Sequence, residues 1–191
     1  MFAVFRLLAF LVPLILLFGP VDAQKYSREM FMRGNNWKQH DRMDTRHQIL
    51  KQRSLIPPEL EDSNGTIKVI KGAWRDGLTG EIIGPADPKD VVDIDHIIPL
   101  KWAWDHGANV WSYEKRNRFA NDKRFLIVTT KKHNIRKSDN GADLYIPADH
   151  AIACGYISMF SQAAIEYVLD IDRKTWTWIT TSEKDVCRGN S

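Results

Sequence analysis

Apolar and polar positions change period several times along the chain, and each change marks an element. Leu7 to Phe18 is an apolar run broken only by Pro13, preceded by Arg6 and ended by Gly19-Pro20. Val21-Asp22-Ala23 then places small residues where a signal peptidase reads. Residues 1–23 are therefore expected to be a secretory signal cleaved after Ala23. A membrane anchor is the alternative, but the run is well short of the roughly 20 apolar residues a span needs. Beyond it, Gln24 to Leu55 reads as helical, with charged punctuation from Gln39 to Asp44, and Met43, His47 and Leu50 on one face. Pro57-Pro58 ends that region. Asp62-Ser63-Asn64-Gly65 is a turn leading into an alternating strand, Thr66 to Ile70, and a second hairpin is predicted from Trp74 to Gly84 around Gly77 and Gly80. Asn64-Gly65-Thr66 is also a glycosylation sequon, although the turn alone accounts for it.

The second half of the chain follows the same logic. Val91 to Ile98 is a β-branched strand, and Pro99 opens a short helix through Trp102 and Trp104 that Gly107 closes. Ser112 caps a helix running to about Asn121. Phe125 to Thr129 is a strand, and Lys131 to Asn140 a short polar segment. Pro147 opens the longest helix, whose broad apolar face includes Ile152, Tyr156, Met159, Phe160, Ala163 and Val168. No internal repeat or low-complexity linker interrupts this order, so residues 24–191 are expected to form one α+β domain.

Composition narrows the picture only modestly. Hydrophobic residues make up 43% of 191 and charged residues 27%, which excludes a disordered or collagen-like chain. A net charge of +3 is compatible with a polyanionic partner without establishing one. Cleavage after Ala23 removes Arg6 and Asp22 and leaves that charge unchanged. Export also changes how the two cysteines read. In an oxidising compartment Cys154 and Cys187 are expected to form one disulfide, with two free buried thiols as the alternative.

The chemistry is concentrated in Asp93-Ile94-Asp95-His96-Ile97-Ile98-Pro99-Leu100. Asp93 and Asp95 share one strand face, and His96 follows immediately. A second cluster, His133 to Asp139, supplies an amide oxygen and several cations after another strand. Strand, strand, then a helix opening near Asn134 is the outline of a ββα metal finger. Phosphodiester cleavage needs an activated water, charge on the phosphate and help for the leaving oxygen. A histidine side chain ordinarily titrates near neutrality, so His96 is the candidate for the proton transfer. Asp95 and Asn134 are hard oxygen donors, suited to Mg²⁺, with Mn²⁺ or Ca²⁺ as alternatives and Zn²⁺ disfavoured. Lys131, Lys132, Arg136 and Lys137 are placed to hold phosphates. On these residues alone a capped strand end remains an alternative.

The set D-I-D-H-I-I-P-L, A-W-x-x-G-A (Ala103 to Ala108), Trp111, F-A-N-D (Phe119 to Asp122) and N-x-x-K-x-D (Asn134 to Asp139) resembles the secreted HNH endonuclease family. Asp44-Thr45-Arg46 and the G-x-W-x-D-x-x-T-G segment from Gly72 to Gly80 match further patterns of that family, as do the paired cysteines. The resemblance covers about Trp37 to Cys187. It implies a single α+β domain with an HNH (ββα-metal) core at about residues 91–147, added helices and a β-hairpin. It also implies Asp95 and Asn134 as metal ligands, His96 as general base and Lys137 near the phosphate. Asp93 then orients the site or is a structural acid, and Asp139 caps or orients. Arg46 contacts phosphate or forms a buried ion pair, and Arg136 adds charge for substrate. The family's usual Asn-Leu at the second strand is Phe125-Leu126 here, so either Asn121 or a backbone carbonyl substitutes, or the histidine is held less rigidly. His133 is an alternative ligand, which would shift preference toward Zn²⁺. The seven tryptophans read as core more than as base-stacking platforms.

The expected protein is thus an exported, divalent-metal-dependent endonuclease. Its partner is nucleic acid, with DNA favoured over RNA and little sequence preference. No stable membrane association after signal cleavage and no immunity protein are indicated, and the expected location is extracellular or periplasmic. The rival reading is a nucleic-acid-binding protein on the same fold that has lost turnover.

Overall fold

The computed structural model describes residues 25–188, and the signal sequence expected at Met1 to Ala23 lies outside them. The chain enters through two 3₁₀ turns, Arg28–Met30 and Arg33–Asn35. A small hairpin follows, β1 (Gln39–His40) with β2 (Met43–Asp44). Only Thr45–Arg53 is α-helical (α1), begun by the Asp44 side chain, which accepts from the His47 N–H at 2.8 Å. The helix expected across residues 24–55 is therefore corrected to its final segment. Upstream, the Lys38 backbone groups bond to Asn121 and Thr45 instead of along a helix. Phe31 and Met32 are fully buried and fasten this entry arm to the main core.

Two linked hairpins come next. β3 (Glu59–Ser63), β4 (Thr66–Arg75) and β5 (Ile82–Ala86) form an antiparallel sheet in that order. Asn64 and Gly65 both adopt positive φ, as the tight turn between β3 and β4 requires. The helix α2 (Pro88–Val91) then leads into β6 (Val92–His96). The helices α3 (Leu100–Asp105) and α4 (Tyr113–Ala120) cross to β7 (Leu126–Thr130), which pairs antiparallel with β6. The polar segment after β7, where a helix was expected to open near Asn134, is the helix α5 (Lys131–Lys137), begun by the Thr130 hydroxyl, which accepts from the His133 N–H.

The longest helix, α6 (His150–Tyr167), starts three residues after Pro147, where Asp149 accepts from the Ile152 N–H. A further helix, α7 (Arg173–Cys187), has no counterpart in the sequence reading. Its first two turns alternate Trp with Thr and Ile, residues of modest helix propensity, and Ile179 is its one buried residue. Asp172 begins it by accepting the Lys174 and Thr175 N–H groups. Cys154 of α6 and Cys187 of α7 form the expected disulfide.

These elements make one α+β domain around two apolar clusters. Val92 and Ile94 of β6 and Leu126 and Val128 of β7 face the smaller cluster, with Ile49, Leu50, Val69 and Trp74. Strand alternation sends Asp93 and Asp95 to the opposite face. The larger cluster packs α3, α4 and α6 around Trp102, Trp104, Phe119 and Phe160. Among the described residues no helix is long and apolar enough to cross a membrane.

Candidate active site

β6, β7 and α5 form a ββα unit whose register places the chemistry. Asp95 sits opposite Ile127 and His96 opposite Leu126. Beyond His96 the ladder ends, and Pro99 starts the turn into α3. A cleft of about 690 Å³ opens there, and Asp93, Asp95, His96, Asn134, Arg46 and Asp139 all line it. Residues separated by more than 90 positions thus meet on one wall, as the sequence motifs imply.

His96 is almost wholly buried. Its Nε2 lies 2.8 Å from the Ala120 carbonyl oxygen. A carbonyl only accepts, so Nε2 carries the proton and Nδ1 keeps the free lone pair. Burial, then the positive field of Arg28 and Lys137, pulls the imidazole pKa down to about 3, although the bond to Ala120 works the other way. The ring is therefore neutral at ordinary pH. Trp37 stacks on its face, with centroids 5.4 Å apart and planes 13° from parallel. A backbone carbonyl therefore does what the missing strand asparagine would have done, and the Asn121 side chain does not touch the ring. It accepts from the Lys38 N–H at 2.9 Å.

Asp95 is 7% exposed and Lys137 is fully buried. The ammonium stands 2.8 Å from Asp95 Oδ2 as an ion pair. The same ammonium donates to the His96 carbonyl at 2.8 Å, and Asp95 Oδ2, shut off from solvent, faces it. Burial raises the Asp95 pKa, and the Lys137 charge opposes that rise. Lys137 was expected at the phosphate. The structure corrects this: the side chain runs inward from α5, and its charge faces the carboxylate from behind.

Asn134 donates from Nδ2 to Asp93 Oδ2 at 3.0 Å. Its Oδ1 is the end left for a cation, so Asp93 acts here as an orienting group. Arg46 is half-buried. Its guanidinium donates to the Val92 carbonyl at 2.8 Å and the Pro88 carbonyl at 3.2 Å. The buried ion pair considered for it is not formed, although burial lowers its pKa and the field of Asp93 works against that. Asp139 is exposed on the rim and accepts from the Ser138 hydroxyl.

Other predicted cations lie elsewhere. Arg136 lines a separate groove on the far side of α5, with His133 and Tyr145. The Lys131 ammonium donates to the Lys89 carbonyl. His133 is no part of the cleft. Its Nδ1 donates to Asp76 Oδ2 at 2.8 Å. Sequence reasoning gave Asp76 no role, yet this fully buried carboxylate also accepts from the Leu78 and Thr130 N–H groups and from the Thr129 hydroxyl. Burial pushes its pKa up, but these bonds outweigh burial and hold it below the usual value. The D-x-x-T-G part of the hairpin motif was the available signal. Gly77 beside it has no room for a side chain, because an added Cβ would lie 2.9 Å from Ile127. Of the seven tryptophans, Trp74, Trp102 and Trp104 are buried, and Trp37, Trp111 and Trp176 pack partly buried against the core.

Residues 44–149 match the family described as GmrSD restriction endonucleases, C-terminal domain. An uncharacterized secreted protein of Arthroderma benhamiae is 32% identical over 110 residues, which are 56% of this chain and 52% of that protein. The chain thus spans about half the length of the curated relative it matches. No solved structure matches.

Proposed function

Because the chain belongs to the family of GmrSD restriction endonuclease C-terminal domains, we propose that it is an exported endonuclease of the HNH (ββα-metal) type. Its substrate is nucleic acid, DNA foremost, cut with little sequence preference. The observation that carries this reading is the meeting of three groups in one cleft: neutral His96, the Asp95 carboxylate and the amide oxygen of Asn134. The secreted relative and the Cys154–Cys187 disulfide support export, because disulfides persist in oxidising compartments.

The donor set fits a hard divalent ion. Asp95 supplies a carboxylate and Asn134 an amide oxygen on the same cleft. Two protein oxygens suit Mg²⁺ best, since it keeps several waters, and Mn²⁺ or Ca²⁺ less well. With no nitrogen or sulfur ligand in the pair, Zn²⁺ is disfavoured. When bound, such an ion supplies positive charge to the phosphate and the leaving oxygen.

The chain's own residues do the rest. His96 Nδ1 accepts the proton of the attacking water while Ala120 holds Nε2–H. Lys137 keeps Asp95 ionised from behind. Asp93 keeps the Asn134 oxygen turned to the cleft. Arg46 holds a phosphate beside the scissile bond through a guanidinium fixed by two carbonyls.

Incubation of the oxidised protein with supercoiled plasmid in Mg²⁺, Mn²⁺, Ca²⁺, Zn²⁺ or EDTA tests the reading. Nicking to a heterogeneous mixture in Mg²⁺, and none in EDTA, is expected. Absence of cleavage of both plasmid and RNA in every ion would overturn it, and discrete sequence-defined fragments would overturn the low specificity.

A further inference from the structure

The two groups that hold the His96 ring are tied together one residue further along the chain. Ala120 takes the ring's edge through Nε2–H, and Trp37 takes its face. Lys38 follows Trp37, and Asn121 follows Ala120. The Lys38 N–H donates to Asn121 Oδ1 at 2.9 Å, across 83 residues of sequence. The Lys38 carbonyl accepts from the Thr45 N–H at 2.9 Å and from the Thr45 hydroxyl at 3.2 Å. Asn121 is itself anchored by its Nδ2, which donates to the Asn117 carbonyl at 2.9 Å. Lys38, the residue after Trp37, is therefore held at both of its backbone polar groups, and one holder is the residue that adjoins Ala120.

An imidazole has two ways to lose a productive pose: it can swing about Cα–Cβ or turn over about Cβ–Cγ. A stacked indole opposes the swing, and a single carbonyl on Nε2–H opposes the turn. Trp37 lies upstream of the family-matched residues 44–149. We propose that Trp37, from the entry arm, and Asn121, at the end of α4, are positioning residues that together clamp His96 with Nδ1 toward the cleft. The inference rests on the reading of His96 as the base. A base-stacking role for Trp37 fits less well, because His96 occupies one face of the indole and the Arg28 guanidinium approaches within 5.9 Å of its ring.

Two readouts test it on the full chain. One is the tautomer of His96, read from long-range ¹H–¹⁵N spectra of histidine-labelled protein. The other is the separation of kcat from KM for nucleic acid cleavage. Trp37→Leu removes the stack and is expected to replace the single Nε2–H pattern with exchange-averaged shifts. It should lower kcat about 30-fold with KM within about twofold. Trp37→Phe keeps a ring and should restore the pattern and bring kcat to within about threefold of the parent. Asn121→Ala leaves the indole in place, cuts the tie to Lys38 together with the bond to the Asn117 carbonyl, and should shift both readouts in the same direction by a smaller amount, which covers the case of a Trp37→Leu protein that does not fold. The clamp is overturned if Trp37→Leu and Asn121→Ala leave tautomer and kcat unchanged. It is overturned equally if KM alone rises, or if Trp37→Phe falls as far as Trp37→Leu. Should the parent cleave nothing, the function reading fails, and the tautomer readout still decides the clamp.

Discussion

Lys137 Nζ lies 2.8 Å from Asp95 Oδ2, with the cation entirely out of solvent and the carboxylate nearly so. Such a pair gains little over two apolar residues but is costly to halve, because the survivor is a buried charge. Lys137→Met is therefore expected to destabilise the fold by roughly 3–5 kcal/mol in urea unfolding. The double variant Lys137→Met/Asp95→Asn should recover much of that loss while remaining inactive. Equal stability of the single and double variants would show that the pair is not the source of the cost.

Arg46 stands on the cleft wall with its guanidinium braced by backbone carbonyls, so its charge is fixed in place. Arg46→Ala should weaken binding about equally for unrelated sequences and lower the slope of log K against log salt by about 1. Binding isotherms at several salt concentrations check this, and an unchanged slope would remove Arg46 from the phosphate contacts.

Asp76, in the turn between β4 and β5, is tied to β7 and α5 by the Thr129 hydroxyl, the Thr130 N–H and His133 Nδ1. Its folded pKa lies below the ordinary 3.8, so the folded state binds its proton less readily than the unfolded chain. The stability it contributes is full above about pH 4 and is lost as pH falls through the lower folded value. Asp76→Asn should reduce stability at neutral pH by about 1–3 kcal/mol through donors left unpaired. It should also flatten the decline between pH 4 and acid unfolding. Thermal melts of both proteins across that range decide it, and parallel declines would contradict the assignment.

The disulfide joins α6 to α7 across 33 residues. Closing a loop of that length restricts the unfolded chain by an amount worth about 3–4 kcal/mol. Reduction, or Cys154→Ser with Cys187→Ser, should lower the melting temperature by several degrees. Activity at low temperature should survive, because neither cysteine lines the cleft.

The parts of the fold written in local chemistry were legible. The Asn64-Gly65 turn, the β6 and β7 strands and the caps at Ser112 and Gly107 each follow from residues a few positions apart. The candidate cleft was legible because Asp93, Asp95, His96 and Asn134, which line it, carry their chemistry in their identities. What depends on the third dimension was not. The direction in which Lys137 runs is set by the buried carboxylate it meets. The non-helical course of residues 25–44 is set by bonds from Lys38 to Asn121 and Thr45. Arg136 was grouped with the site by proximity in sequence, and its position on α5 turns it to the opposite groove. The helix α7 escaped notice because its alternating Trp, Thr and Ile do not advertise a helical stripe.

The central claim is that His96, with its Nδ1 lone pair in the cleft, takes the proton in phosphodiester hydrolysis. Comparing the parent with His96→Ala on one labelled DNA, in Mg²⁺ for cleavage and in EDTA for binding, tests it most directly. The account predicts that the substitution lowers cleavage by about 10²–10⁴-fold while the dissociation constant changes little. Cleavage by His96→Ala at the parent's rate would contradict it.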